Sequence, residues 1–170
     1  LVSITSWEPV SSFSTNFFAF IPSGRSQIIV LEFQTYWKES KCLDLLDYRN
    51  DFKRKYALPI KTYMLLFTES GTAVNKYEDE EVVFNFNLVK MWEILAKDYL
   101  DDEFIKLWPF IPLMKDGLKY VERIERELYQ SKLEEKVDLL TILSIFVGLR
   151  DKKLALELLK RGRHIMIESP

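Results

Sequence analysis

Two runs rich in aromatic and β-branched residues stand near the start of the chain, Asn16-Phe17-Phe18-Ala19-Phe20-Ile21 and Gln27-Ile28-Ile29-Val30-Leu31-Glu32-Phe33-Gln34. The short Pro22-Ser23-Gly24-Arg25-Ser26 segment between them completes the signature of a β-hairpin, with strands over about 16–21 and 27–36. From 39 to 56, Cys42, Leu45, Leu46, Arg49 and Phe52 recur three and four residues apart, which predicts an amphipathic helix. It ends near Ala57-Leu58-Pro59, because a residue before proline is driven out of the helical region. A third strand follows at 60–67. Strand, helix and strand in this order form a βαβ crossover, so the second and third strands run parallel and the sheet is mixed.

Further on, 68–79 reads as a loop, and 82–86 and 88–94 as two more strands with Asn87 as a bulge between them. Trp108-Pro109-Phe110-Ile111-Pro112 cannot hold a regular helix and packs aromatic surface against the core. Helical periodicity then takes over, with helices at about 117–130, 134–149 and 151–163. Glu134 and Glu135 favour the start of the second, and Asp151 is the expected N-cap of the third. The apolar stretch 139–149 contains Thr141, Ser144 and Gly148, and it falls short of the roughly 18 residues of a membrane span. It reads as a buried helix. At 170 residues the expectation is one α/β domain, with a sheet-bearing core over 1–115 and a helical extension over 116–170.

Composition adds little to this and excludes some classes. With 48% hydrophobic and 29% charged residues the chain is neither a disordered tail nor a membrane bundle. Cys42 is the only cysteine, so no internal disulfide forms, which suits a reducing, cytoplasmic setting. Residues 1–9 lack the basic and apolar regions of a signal peptide, and the chain starts at Leu1 rather than methionine, which leaves room for an upstream segment. A net charge of −2 gives no global attraction to nucleic acid. Basic residues nevertheless cluster at Arg49, Lys53, Arg54 and Lys55, and at Arg150, Lys152, Lys153, Lys160, Arg161 and Arg163, and acidic ones at 78–81. Solvated helix faces and a loop are the ordinary account of such runs.

Candidate chemistry lies on the second strand. Alternation puts Glu32 and Gln34 on the face shared by Ile28 and Val30, and a carboxylate there is costly to bury without a polar partner. A three-residue loop at 23–25 sets Pro22 opposite Ser26 and Asn16 opposite Glu32, collecting Asn16, Glu32 and Gln34 into one polar cluster. Oxygen ligands of this kind, with the backbone carbonyl of Phe33, suit Mg²⁺. The plainer account is that the three side chains satisfy one another at the end of the sheet.

The hairpin ending Ile28-Ile29-Val30-Leu31-Glu32-Phe33-Gln34-Thr35, the helix ending Arg54-Lys55-Tyr56-Ala57-Leu58-Pro59, and the strand Tyr63-Met64-Leu65-Leu66-Phe67 resemble the recombination-promoting nuclease/transposase family. That family belongs to the PD-(D/E)XK, restriction-endonuclease-like superfamily. Further similarity covers Val89-Lys90-Met91-Trp92-Glu93-Ile94 and Pro109-Phe110-Ile111-Pro112-Leu113-Met114-Lys115. The resemblance implies an α/β fold with a mixed sheet flanked by helices, and hydrolysis of DNA phosphodiesters assisted by Mg²⁺, or Mn²⁺ in its place. It makes Glu32 the metal-binding carboxylate, with Asn16 and the Phe33 carbonyl as further ligands. Gln34 stands where many relatives carry lysine and orients the water or the phosphate. Two departures weaken catalysis: Asn16 occupies the aspartate position, and Asp44 lies where a basic residue is expected.

The alternative to an attenuated endonuclease is a catalytically silent DNA-binding or assembly module, with a homo-oligomer formed through the C-terminal helices. No membrane partner is expected. Glu8 is a remote candidate ligand read as exposed, and His164, the sole histidine, rules out an internal His pair. Of the four tryptophans, Trp7, Trp92 and Trp108 are assigned to the core, and Trp37, just past the site, is the one to test for base stacking.

Overall fold

The computed structural model describes residues 4–7, 17–22 and 27–166. It is mixed α/β and divides into two compact units, Leu1–Lys90 and Met91–Pro170. The stretch 91–115, grouped with the sheet by its sequence, therefore falls with the C-terminal helices.

The first unit is built on a five-stranded sheet, whose order is β1 (Ile4–Trp7), β2 (Phe17–Pro22), β3 (Ile28–Gln34), β4 (Ile60–Leu66) and β7 (Asn87–Lys90). β1 and β2 pair antiparallel, as do β2 and β3, whereas β3–β4 and β4–β7 are parallel. The expected crossover is thus present, with α1 (Ser40–Tyr56) joining β3 to β4. β3 alternates buried and half-buried along its whole length, and its buried face carries Ile28, Val30, Glu32 and Gln34. Cys42, Leu45 and Phe52 of α1, with Met64, Phe84 and Phe86, complete that core, and Trp37 packs partly buried against it.

α1 stops at Ala57, whose left-handed backbone (φ 53°) lets its N–H reach the Lys53 carbonyl. The Lys53 ammonium donates to the Leu58 carbonyl at 3.1 Å. Lys53, Arg54 and Lys55 thus form a basic last turn against the negative end of the helix dipole. β6 (Val83–Asn85) falls within the strand expected over 82–86 and forms a small hairpin with β5 (Lys76–Glu78), which was not anticipated within the loop region. The Asp79 carboxylate closes it by accepting the Glu81 and Val82 N–H groups and the Tyr77 hydroxyl, which hold its pKa below the usual range. The strand expected over 88–94 ends at Lys90 and continues as a 3₁₀ turn, Met91–Glu93.

The second unit centres on the 3₁₀ segment Asp102–Leu113, in which Pro109 and Pro112 preclude an α-helix and Trp108, Ile111 and Leu113 are buried. Against it pack α2 (Val121–Gln130) and α3 (Lys136–Arg150), with α4 (Lys152–Met166) packed on α3 and the 3₁₀ turn Gly117–Tyr120 leading into α2. The Asp151 carboxylate accepts the N–H groups of Lys153 and Leu154, the N-cap expected for α4. α3 is not buried all round as its composition suggests. Leu139, Leu143 and Val147 form its buried stripe, while Val137 and Ile145 are exposed. Among the described residues no helix is long and apolar enough to cross a membrane.

Two glycines of this unit face opposite constraints. A Cβ on Gly117 would lie 1.7 Å from the Ile111 carbonyl oxygen, whereas one on Gly148 would meet the Ala155 Cβ at 3.6 Å. Gly117→Ala is expected to destabilise the protein by about 3 kcal/mol through overpacking against rigid backbone. Gly148→Ala, inside α3, is expected to stabilise it by roughly 0.5–1 kcal/mol through reduced freedom of the unfolded chain. Urea denaturation of the two variants beside the parent tests both signs.

Candidate functional site

Glu32 and Gln34 lie at the C-terminal end of β3, held by pairing on the parallel side. Glu32 is in register with Met64 and Gln34 with Leu66, and the ladder continues past the strand as the Phe67 and Thr68 N–H groups donate to the carbonyls of Gln34 and Thr35. The Thr68 hydroxyl adds a second bond to the Thr35 carbonyl. Both side chains face the core: Glu32 is 0% exposed and Gln34 6%. The Gln34 amide nitrogen donates to Glu32 Oε1 at 2.5 Å, while Glu32 Oε2 is buried with no hydrogen-bond partner among the described residues.

Register corrects one expectation. Glu32 is opposite Phe17 and Ile29 opposite Phe20, so Asn16 is not the cross-strand partner of Glu32. The observed pairing leaves one residue more between the strands than a three-residue loop, and a one-residue slip transfers every side chain of a strand to the other face. Asn16 and Glu8 themselves lie outside the described residues, as does the side chain of His164. Phe33 sits between Glu32 and Gln34 in β3, in register with Leu65, and its ring lies 6.0 Å from that of Phe67.

A residue not singled out in the sequence completes the surroundings. The Lys41 ammonium, in the first turn of α1, donates to the Asp44 carboxylate at 2.6 Å and is close enough for its charge to act on Glu32. Its charge is stabilised by the Asp44 hydrogen bond first and by the Asp44 and Glu32 charges in smaller part, against a desolvation cost, so the Lys41 pKa is raised. Asp44, noted for standing where a basic residue was expected, is thus the partner of a lysine one turn earlier. The signal was available in the Lys41–Asp44 spacing of three, which places the two on one helix face.

The Glu32 carboxyl is pushed up to about 7 by burial, which outweighs the Gln34 hydrogen bond and the Lys41 charge, while Asp44 adds to the rise. The side chain therefore shares its proton with water near neutrality instead of remaining a fixed anion. Cys42, in the first turn of α1 and buried, is a thiol whose pKa burial raises to about 11. Among the described residues no group of three or more His, Cys, Asp or Glu side chains could hold a metal ion. Glu32 is the one acidic ligand that the described part of this site offers.

Because the folded state raises this carboxyl's pKa from 4.5, the native protein binds more protons than the unfolded chain between about pH 4.5 and 7. Stability is expected to fall as pH rises through that window, by up to about 3 kcal/mol. Glu32→Gln should remove the fall and exceed the parent in stability at pH 8, measured by urea unfolding from pH 5 to 8; parallel pH profiles for the two proteins would contradict it. No family model, curated protein or solved structure matches this chain.

Proposed function

We propose that the chain is a Mg²⁺- or Mn²⁺-dependent DNA phosphodiester hydrolase of the PD-(D/E)XK type, with activity attenuated because Glu32 is the one carboxylate that the described part of the site offers. The observation that carries this reading is the Glu32 carboxyl, buried with one oxygen bound by Gln34 and the other without a hydrogen-bond partner among the described residues. A buried orphan oxygen is unfavourable unless something else satisfies it, and a hard cation is one such partner. The mixed sheet, with its antiparallel β2–β3 pair and parallel crossover through α1, is compatible with that fold.

The residues present fit a metal in part. Glu32 would hold it, joined by the neutral backbone oxygen of Phe33; with Phe17 opposite Glu32, the pairing does not bring Asn16 to that carboxylate. Once bound, the ion supplies water activation and stabilisation of charge on the phosphate. Glu32 must first give up its proton, so metal affinity rises with pH through about 7. Gln34 cannot act as a base; its amide orients the carboxylate by donating to Oε1. Lys41 contributes positive charge beside the site while held by Asp44.

The second reading is a silent DNA-binding or assembly module. It is favoured by the complete burial of Glu32, which leaves a substrate no direct route to the carboxylate. Its assembly form draws on the exposed Val137, Ile145, Leu156 and Leu159 of α3 and α4.

Plasmid nicking with Mg²⁺ or Mn²⁺ separates the two. Slow nicking by the parent is expected, lowered at least about tenfold by Glu32→Ala, equivalent to about 1.4 kcal/mol or more in the barrier. Nicking indifferent to Glu32→Ala would refute the assignment. Absence of nicking in the parent with either metal, with salt-sensitive DNA retention, would establish the binding module instead.

A further inference from the structure

The second unit contains a cavity of about 280 Å³ whose lining includes Lys97, Lys115 and Lys119, with Ala96, Asp116 and Tyr120. Three lysines thus line one small space in a chain whose net charge is −2. Asp116 is the one carboxylate lining it among the described residues, and it reaches Lys119 only at 3.8 Å. The Lys119 ammonium also lies 5.1 Å from the centroid of the Tyr120 ring. Lys97 and Lys115 have no side-chain partner among the described residues. A concave space lined by an excess of one sign of charge raises the local concentration of ions of the other sign.

The backbone carrying these lysines is tightly determined. Leu95 and Lys115 form a parallel bridge, with the Ala96 N–H donating to the Lys115 carbonyl at 3.2 Å and the Lys115 N–H to the Ile94 carbonyl at 2.9 Å. Asp116 then takes a left-handed conformation (φ 61°), and Gly117 packs so close to the Ile111 carbonyl that no side chain fits. Lys97 and Lys119 stand on the 3₁₀ turns Ala96–Tyr99 and Gly117–Tyr120 on either side. The cationic groups are therefore attached to a fixed frame instead of a run of exposed helix.

We propose that this pocket is a binding site for a phosphate dianion, taken either as free phosphate or as the terminal phosphate of a nucleotide. Three lysines against one aspartate leave two positive charges, which a phosphate monoester matches and a single backbone diester does not. The volume exceeds the roughly 30 Å³ share of a water molecule by enough for a phosphate and part of an attached sugar, and lies just below the range of about 300–1,000 Å³ usual for whole ligands. The site is independent of Glu32 and of whether the protein cuts DNA.

The test titrates the ¹⁵N-labelled full chain, at constant ionic strength in chloride, with inorganic phosphate, a nucleoside 5′-monophosphate and an unphosphorylated oligonucleotide. Saturable shifts of the Ala96, Lys115, Asp116 and Gly117 amides are expected with the first two, and Lys97→Gln or Lys115→Gln should each weaken binding about tenfold. These lysines are exposed, so the glutamine variants should fold, as circular dichroism will verify. Equal affinity for phosphate and the monophosphate identifies free phosphate as the ligand, and tighter monophosphate binding identifies the nucleotide. Loss of neither shift nor affinity in the lysine variants, equal shifts with chloride, or binding of the oligonucleotide alone would overturn the proposal. Glu32→Ala should bind phosphate as the parent does, whatever its effect on nicking.

Discussion

The first unit depends on β3 being bonded on both edges while only one of its faces is sealed beneath α1. Antiparallel pairing to β2 and parallel pairing to β4 fix its register on two sides. Its period of two then leaves no freedom: if Ile28 and Val30 are in the core, Glu32 and Gln34 are carried there with them. Desolvation of an ion costs several kcal/mol, and a hydrogen bond to a charged group returns roughly 1.5–3. One bond from Gln34 cannot close that gap, which is why burial dominates and the Glu32 carboxyl shifts to about 7. An apolar residue at this position would have cost the fold less.

Charge elsewhere in the chain divides into two kinds. Basic residues at the end of α1 oppose its dipole, Lys53 donates to the Leu58 carbonyl just beyond it, Arg54 pairs with Asp51, and Asp79 in the acidic stretch closes a hairpin turn. Arg161, at the far end of α4, pairs with the largely buried Glu125 at 3.1 Å. These charges are accounted for by local structure. Lys97 and Lys115 are not: they face a cavity without a side-chain partner among the described residues, and neither belongs to a charge run that the sequence makes conspicuous. Folding gathers them from separate turns, so clustering along the chain is a poor guide to clustering in space.

The parts legible in the sequence were those set by short-range periodicity. Alternation in β3, the three-and-four spacing of Cys42, Leu45 and Phe52, and the stop at Leu58-Pro59 are local facts, and they sufficed for the parallel crossover. The pairing of Asn16 with Glu32 failed because it rested on counting loop residues, where one residue inverts a strand. β5, three residues long, carries too little pattern to stand out from a loop. Apolar content alone could not show that α3 buries only one stripe, since an even hydrophobicity around a helix gives no face preference. Lys41 was passed over because its place beside Glu32 depends on how the start of α1 folds back over the end of β3.

Glu32 and the lysine pocket are held in place by opposite means. At Glu32 the protein has excluded water around a carboxyl and supplied one donor, so the group stays neutral until a cation or a rise in pH makes ionisation worthwhile. In the pocket the lysines remain exposed to solvent, on a backbone fixed by the Leu95–Lys115 bridge and the close approach of Gly117 to Ile111. Burial makes the first group's state depend on proton concentration. Solvation leaves the second dependent on ionic strength, because screening weakens exposed charges far more than buried ones. Salt should therefore act mainly on the pocket, whereas pH acts on Glu32 through its own proton and on the pocket through the proton of a phosphate ligand.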